Sequence, residues 1–215
     1  MDHSTDYHTL HAAIETHLRR SVQLAQSLGS LVALLAQATM LLRHTLEAGH
    51  KVLLCGNGGS AAMAGHLAAE LLGRYRVARP GLPAVVLNDS PATLTALAND
   101  FGYEQVFARQ LAALGHRGDL LLTMSCSGRS ANILAAIREA GRRGLAVMAM
   151  TGSDTAVLQP LLHDGDLLLA VAAADAAHIQ ELHLMMLHAI MSGLETGYPD
   201  SPHGQHDHDH ASPGL

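Results

Sequence analysis

Tryptophan is absent from this 215-residue chain, and aromatic residues as a whole make up only 3% of it. That removes the stacking platforms on which single-stranded nucleic acids bind and leaves the core to aliphatic side chains. Cations are also few: 13 Lys and Arg against 19 Asp and Glu give a formal charge of -6. A broad nucleic-acid footprint needs clustered cations that displace counterions from phosphates, so small ligands and protein partners are expected instead. Only two cysteines occur, Cys55 and Cys126, without CxxC spacing. With a first segment that lacks the charged and apolar pattern of a signal peptide, this reads as a reduced, cytoplasmic protein. The apolar runs are short, as in LLLAVAAA from Leu167. A membrane-crossing helix takes about 20 apolar residues, so no span is expected.

The hydrophobic content of 48% is enough to fill the core of one good-sized domain. Residues 7–49 offer two helical stretches rich in Leu, Ala and Gln, punctuated near Ser27 to Ser30. Then five apolar runs of strand length alternate mostly with helices: KVLLC (51–55), PAVVL (83–87), DLLLTM (119–124), LAVMAM (145–150) and DLLLAV (166–171). Strands with no polar side belong to a parallel sheet buried on both faces. The predicted fold is therefore α/β, a doubly wound five-stranded parallel sheet in three αβα layers of flavodoxin-like type. Residues 1–50 form N-terminal helices, 51–197 the sheet domain, and 198–215 a polar tail.

Two strand-to-helix loops carry chemistry. Gly56-Asn57-Gly58-Gly59-Ser60 follows the first strand, and its glycines allow positive φ and close backbone approach to an anion at a helix start. The string also fits a loose dinucleotide fingerprint, but the acidic residue due about 20 positions on is missing, which disfavours a nucleotide. Ser125-Cys126-Ser127-Gly128-Arg129-Ser130 follows the third strand and offers hydroxyl and backbone donors at another helix start. Singly, each loop is also explained as a capped turn. As a pair on one sheet, they point to one sugar phosphate held between them.

Four segments, CGNGGSAAMAGHLAAELLGRY, LTALANDFGY, GDLLLTMSCSGRSAN and HIQELHLMMLHAI, together resemble the sugar isomerase (SIS) domain of the bacterial phosphoheptose isomerases over roughly residues 10–196. The resemblance implies isomerisation of sedoheptulose 7-phosphate to D-glycero-D-manno-heptose 7-phosphate, for ADP-heptose and the lipopolysaccharide core. It implies substrate contacts from Asn57, Gly58, Gly59, Ser60, Glu70, Arg74, Asn99, Asp100, Ser125, Cys126, Ser127, Ser130 and Gln180. It also implies one Zn2+ per subunit on His66, Glu70, Gln180 and His188, with the two helices contributed across subunits, and no nucleotide cofactor. Glu70 is then the base and His188 the acid. A homotetramer with active sites at subunit interfaces is implied as well.

The residues themselves leave more open. His66 and Glu70, at i and i+4, share a helix face, which a surface ion pair also explains. On the last helix, periodicity places Glu181 rather than Gln180 in line with His188, and His178 and His183 read as structural. Cys126 stands where the family usually has Thr, Arg129 where it usually has Asn, and Ala177 where it often has an acid; Asp175 lies two residues away. GLPAVVLNDS, LTALAND and QLAALGHRGD also resemble a related SIS protein that binds the replication initiator protein, an alternative partner. That relative lacks the acid-base pair which Glu70 and His188 supply here. The tail carries His203, His206, His208 and His210 interleaved with Asp207 and Asp209, a composition suited either to weak divalent-metal capture or to an uncommitted solvated segment.

Overall fold

The computed structural model describes residues 3–196, with side chains from Asp6 onward. The His-rich tail lies outside the described residues. Strands β1 (Val52–Gly56), β2 (Ala84–Val86), β3 (Leu120–Ser125), β4 (Ala146–Thr151) and β5 (Leu167–Ala170) form one parallel sheet in the order β2-β1-β3-β4-β5. This is the flavodoxin-like order, whose switch point lies between β1 and β3. The two anion-ready loops leave those very strands, so topology places both at the one crevice where such sheets bind ligands.

Seven helices cover the sheet among the described residues: α1 (His3–Ser27), α2 (Val32–Glu47), α3 (Gly59–Leu72), α4 (Pro91–Phe101), α5 (Val106–Leu114), α6 (Ala131–Arg143) and α7 (Ala176–Leu194). Because side chains alternate across a strand, the sheet feeds two cores. Val52, Leu54, Leu120, Leu122, Met124, Met148 and Met150 pack with α2, α3 and α7. Leu53, Cys55, Leu121, Val147 and Ala149 pack with α5 and α6. Caps fix the helix ends: Ser90 accepts from Thr93 N before Pro91 opens α4, and Gly144 closes α6 at φ 74.

The two expected N-terminal helical stretches are present as α1 and α2, with the break at the expected place. The break near Ser27 to Ser30 is a single 3-10 turn, so the helical run is nearly continuous. By length and composition alone, Asp6–Glu47 is apolar enough to cross a bilayer, because no charged residue lies between Arg20 and Arg43. Individual strand-length runs concealed this. Yet one side of the run packs into the domain through Leu24, Leu35, Ala38 and Leu42. The other side of α1 shows an exposed stripe of Tyr7, Leu10, Ile14, Leu18 and Val22.

His183 of α7 is buried, its Nε2 3.2 Å from the Thr151 carbonyl and its Nδ1 without a partner. Burial pushes its pKa down from 6.5 to about 4. Below pH 6.5 the unfolded chain takes up a proton that folded His183 refuses, so stability is full above that pH and drains as pH falls toward 4. The expected loss is about 3 kcal/mol. Denaturant midpoints measured across this window should fall with pH, and the slope should flatten in His183→Gln.

Candidate active site

A cavity of about 240 Å3 opens at the β1/β3 switch point, lined by Asn57, Ser60, Met124, Ser125, Cys126, Ser127, Ser130, Ala176 and Gln180. Gly58 begins α3 at φ 55, a conformation that glycine adopts without strain. Gly59 serves a different need: a Cβ there would collide with the side-chain amide of Gln180. The glycine loop is therefore shaped by the start of α7 as well as by its own turn. Opposite it, Ser125 Oγ donates to Ser130 Oγ at 3.3 Å, and Ser127 Oγ accepts from Arg129 N at 3.2 Å.

Several supports of this cradle were not singled out from sequence. Asn132, buried at the start of α6, exchanges two amide hydrogen bonds with Asn57, at 2.8 and 2.9 Å. Tyr103 OH donates to Asn57 Oδ1 at 3.1 Å. Asn88 clasps Gly56 like an extra strand residue, accepting from its N-H at 3.2 Å and donating to its carbonyl at 2.9 Å. The only hint in sequence was that Tyr103 and Asn132 fall inside the resembling segments.

The three departures resolve differently. Cys126 turns its thiol toward the cavity, with Sγ 3.6 Å from Gln180 Nε2 and 3.9 Å from Ser60 Oγ. Arg129 is held by Asp154, Nε donating to Oδ2 at 2.6 Å, and does not line the cavity. This hydrogen bond holds the Asp154 carboxyl below its ordinary range. Asp175 cannot stand in for an acid at Ala177 while it caps α7, accepting from Ala177 N at 3.1 Å and His178 N at 3.2 Å.

A second cluster lies farther along α3 and α7. His66 Nε2 is 3.0 Å from His188 Nε2, and Glu70 Oε1 is 3.2 Å from the first and 3.4 Å from the second. Tyr75 stacks on the His188 ring, centroids 5.6 Å apart. Three electron-pair donors thus face a common point, and the buried Glu70 Oε2 has no hydrogen-bond partner. Two imidazoles and a carboxylate match the ligand chemistry of zinc, so the residues fit the ion.

Within one chain α3 and α7 pack side by side on one sheet face, which brings His66, Glu70 and His188 together. Glu181, favoured by periodicity, instead faces α1, where it meets His17 and Ser21. Gln180 lies eight residues before His188, about 12 Å along the helix, and its amide contacts Cys126 beside Gly59. It belongs with the cavity in this chain and not with the three clustered ligands. Arg74, Asn99 and Asp100 are exposed and do not line the cavity, and Asn99 Nδ2 donates to Asp100 Oδ1 at 2.8 Å.

A flavodoxin-like sheet whose switch point carries paired glycine and serine loops defines a SIS domain, and the SIS domain family pattern matches residues 19–152. Curated relatives narrow this: phosphoheptose isomerase from Thiobacillus denitrificans is 44% identical over 87% of this chain and 95% of its own length. That from Helicobacter pylori is 45% identical over 80% and 88%. The solved phosphoheptose isomerase of Neisseria gonorrhoeae superposes with a TM-score of 0.82 at 38% identity, covering 87% of this chain and 99% of that one. The chain belongs to the bacterial phosphoheptose isomerase family.

Proposed function

We propose that the chain interconverts sedoheptulose 7-phosphate and D-glycero-D-manno-heptose 7-phosphate, with Glu70 as base and His188 as acid. The observation that carries the assignment of roles is the convergence of His66, Glu70 and His188, with Glu70 Oε2 buried and unpartnered. Ketose-to-aldose conversion moves a hydrogen from C1 to C2 through a cis-enediol. Glu70 Oε2 takes the C1 proton while His188 delivers one to O2, which completes the enediol. Glu70 then returns its proton to C2, and His188 recovers one from O1 as the aldehyde forms. His66, Glu70 Oε1 and His188 would hold zinc when the ion is bound, and the ion would then supply Lewis-acid polarisation of the substrate oxygens.

The phosphate belongs in the serine and glycine cradle. Glu70 lies eleven residues beyond Gly59 on α3, about 16 Å of helical rise. The substrate has its phosphate on C7 and reacts at C1 and C2, so its two ends have different requirements. This separation supports an active site completed between subunits, the cradle of one protomer facing the acid-base cluster of another. The exposed α1 stripe supports the same homotetrameric reading, since so much regularly spaced apolar surface is characteristic of an interface. Cytoplasmic placement accords with the substrate and the free thiols.

Turnover of a panel of ketose phosphates by the purified protein is the direct test. Activity confined to seven-carbon substrates is expected; no turnover of sedoheptulose 7-phosphate would overturn the reading. Leu18→Glu, in the middle of the stripe, is expected to yield smaller species in sedimentation and to lose most activity. An active monomer would refute the shared site.

A further inference from the structure

A second group of metal-ligating side chains lies outside the acid-base cluster, between α1 and the first turns of α7. His17, His178 and Glu181 each present a ligand atom, all within 4.8 Å of one another. His17 Nε2 is 2.9 Å from Glu181 Oε1, and the His17 and His178 rings stack with centroids 4.5 Å apart. Neighbouring groups aim these ligands. Asp175 Oδ2 lies 3.1 Å from His178 Nδ1, which assigns the hydrogen to Nδ1 and leaves the Nε2 lone pair for a cation. That Nε2 also makes a long contact of 3.5 Å with the His17 carbonyl, which a bound cation would replace. Ser21 Oγ donates to Glu181 Oε2 at 2.7 Å, leaving Oε1 turned to His17.

A carboxylate behind a ligating histidine and a hydroxyl behind a ligating carboxylate are the outer contacts that fix metal ligands and raise their basicity. Two imidazoles and one carboxylate, completed by water, suit a borderline divalent ion such as zinc. The side chains of His17 and Glu181 are 43% and 41% exposed, so an ion can enter from solvent. We propose that His17, His178 and Glu181 form a second Zn2+ site that bolts α1 to α7. Its ligands flank Gln180, which lines the substrate cavity, and its other anchor is the helix that bears the exposed stripe. The ion would thus order the interface helix against the helix that shapes the cradle.

The test uses the full-length protein carrying His66→Ala and His188→Ala, which removes two ligands of the acid-base cluster. Calorimetric Zn2+ titration should still find a site, and adding His17→Gln or Glu181→Gln should abolish it. Ser21→Ala should weaken that site by about tenfold or more. The histidines of the tail are the same in every variant and contribute equally. Co2+ should give ligand-field absorption that disappears with His17→Gln, and Zn2+ should slow amide exchange in α1 only when His17 and Glu181 are present. Circular dichroism establishes that each variant folds, and Glu181→Gln provides an independent reading if His17→Gln does not. Zn2+ stoichiometry and affinity unchanged by both substitutions overturn the proposal.

Discussion

Glu70→Gln and His188→Gln are each expected to lower kcat for sedoheptulose 7-phosphate by roughly 10²–10⁴-fold, the contribution of a positioned acid or base. Glutamine preserves the shape of Glu70 but has no carboxylate to accept the C1 proton. In place of His188 it cannot cycle a proton between O2 and O1. KM should change little, because the phosphate is held in the separate cradle of Asn57, Ser125, Ser127 and Ser130. Stopped assays over a concentration series, with circular dichroism as a folding control, separate the two parameters. Full kcat in either variant would remove that residue from the proposed role. Loss through KM alone would indicate that it binds substrate without moving protons.

Glu195→Ala is expected to cost about 3–5 kcal/mol of stability, the penalty for removing one partner of a buried ion pair. The Glu195 carboxylate lies at the end of α7 and accepts from the backbone N-H groups of Tyr75, Arg76 and Val77 at 2.9 to 3.2 Å. Arg79 Nε approaches it at 3.5 Å, with both side chains almost fully buried. Arg79 also donates to the carbonyls of Leu71 and Glu70, at 2.8 and 2.7 Å. The pair therefore ties the segment after α3 to α7 beside the acid-base cluster. Alanine strands the guanidinium and three backbone donors at once. Thermal unfolding should shift down by roughly 6–20 °C, with kcat falling as well because Tyr75 no longer stacks firmly on His188. A shift of a degree or two would show that solvent replaces the carboxylate, and that the segment is not held as described.

Much of this molecule was legible before any coordinates. Five apolar runs without polar alternation pointed to strands of a parallel sheet buried on both faces, and all five are found, each end displaced by one residue. PAVVL and DLLLAV each shortened by two residues, to Ala84–Val86 and Leu167–Ala170, because these are the edge strands, which pair on one side and whose ends go unsupported. The glycine and serine loops were recognised as a pair, since positive φ, hydroxyl donors and helix starts are written locally. Arg74, Asn99 and Asp100 followed from resemblance, and in the single chain they remain at the surface.

The sequence by itself determined the strands, the helices behind them, the two anion loops and the shared face of His66 and Glu70, because each rests on neighbours within a turn or two of chain. Only the tertiary structure decided the partners. It set His188 against Glu70 from more than 100 residues away, turned Glu181 to His17, and left Gln180 with Cys126 and Gly59. Helical periodicity fixes the direction in which a side chain leaves its axis. What it meets there depends on which helices the sheet order lays side by side, and that is a property of the packed core rather than of any one segment.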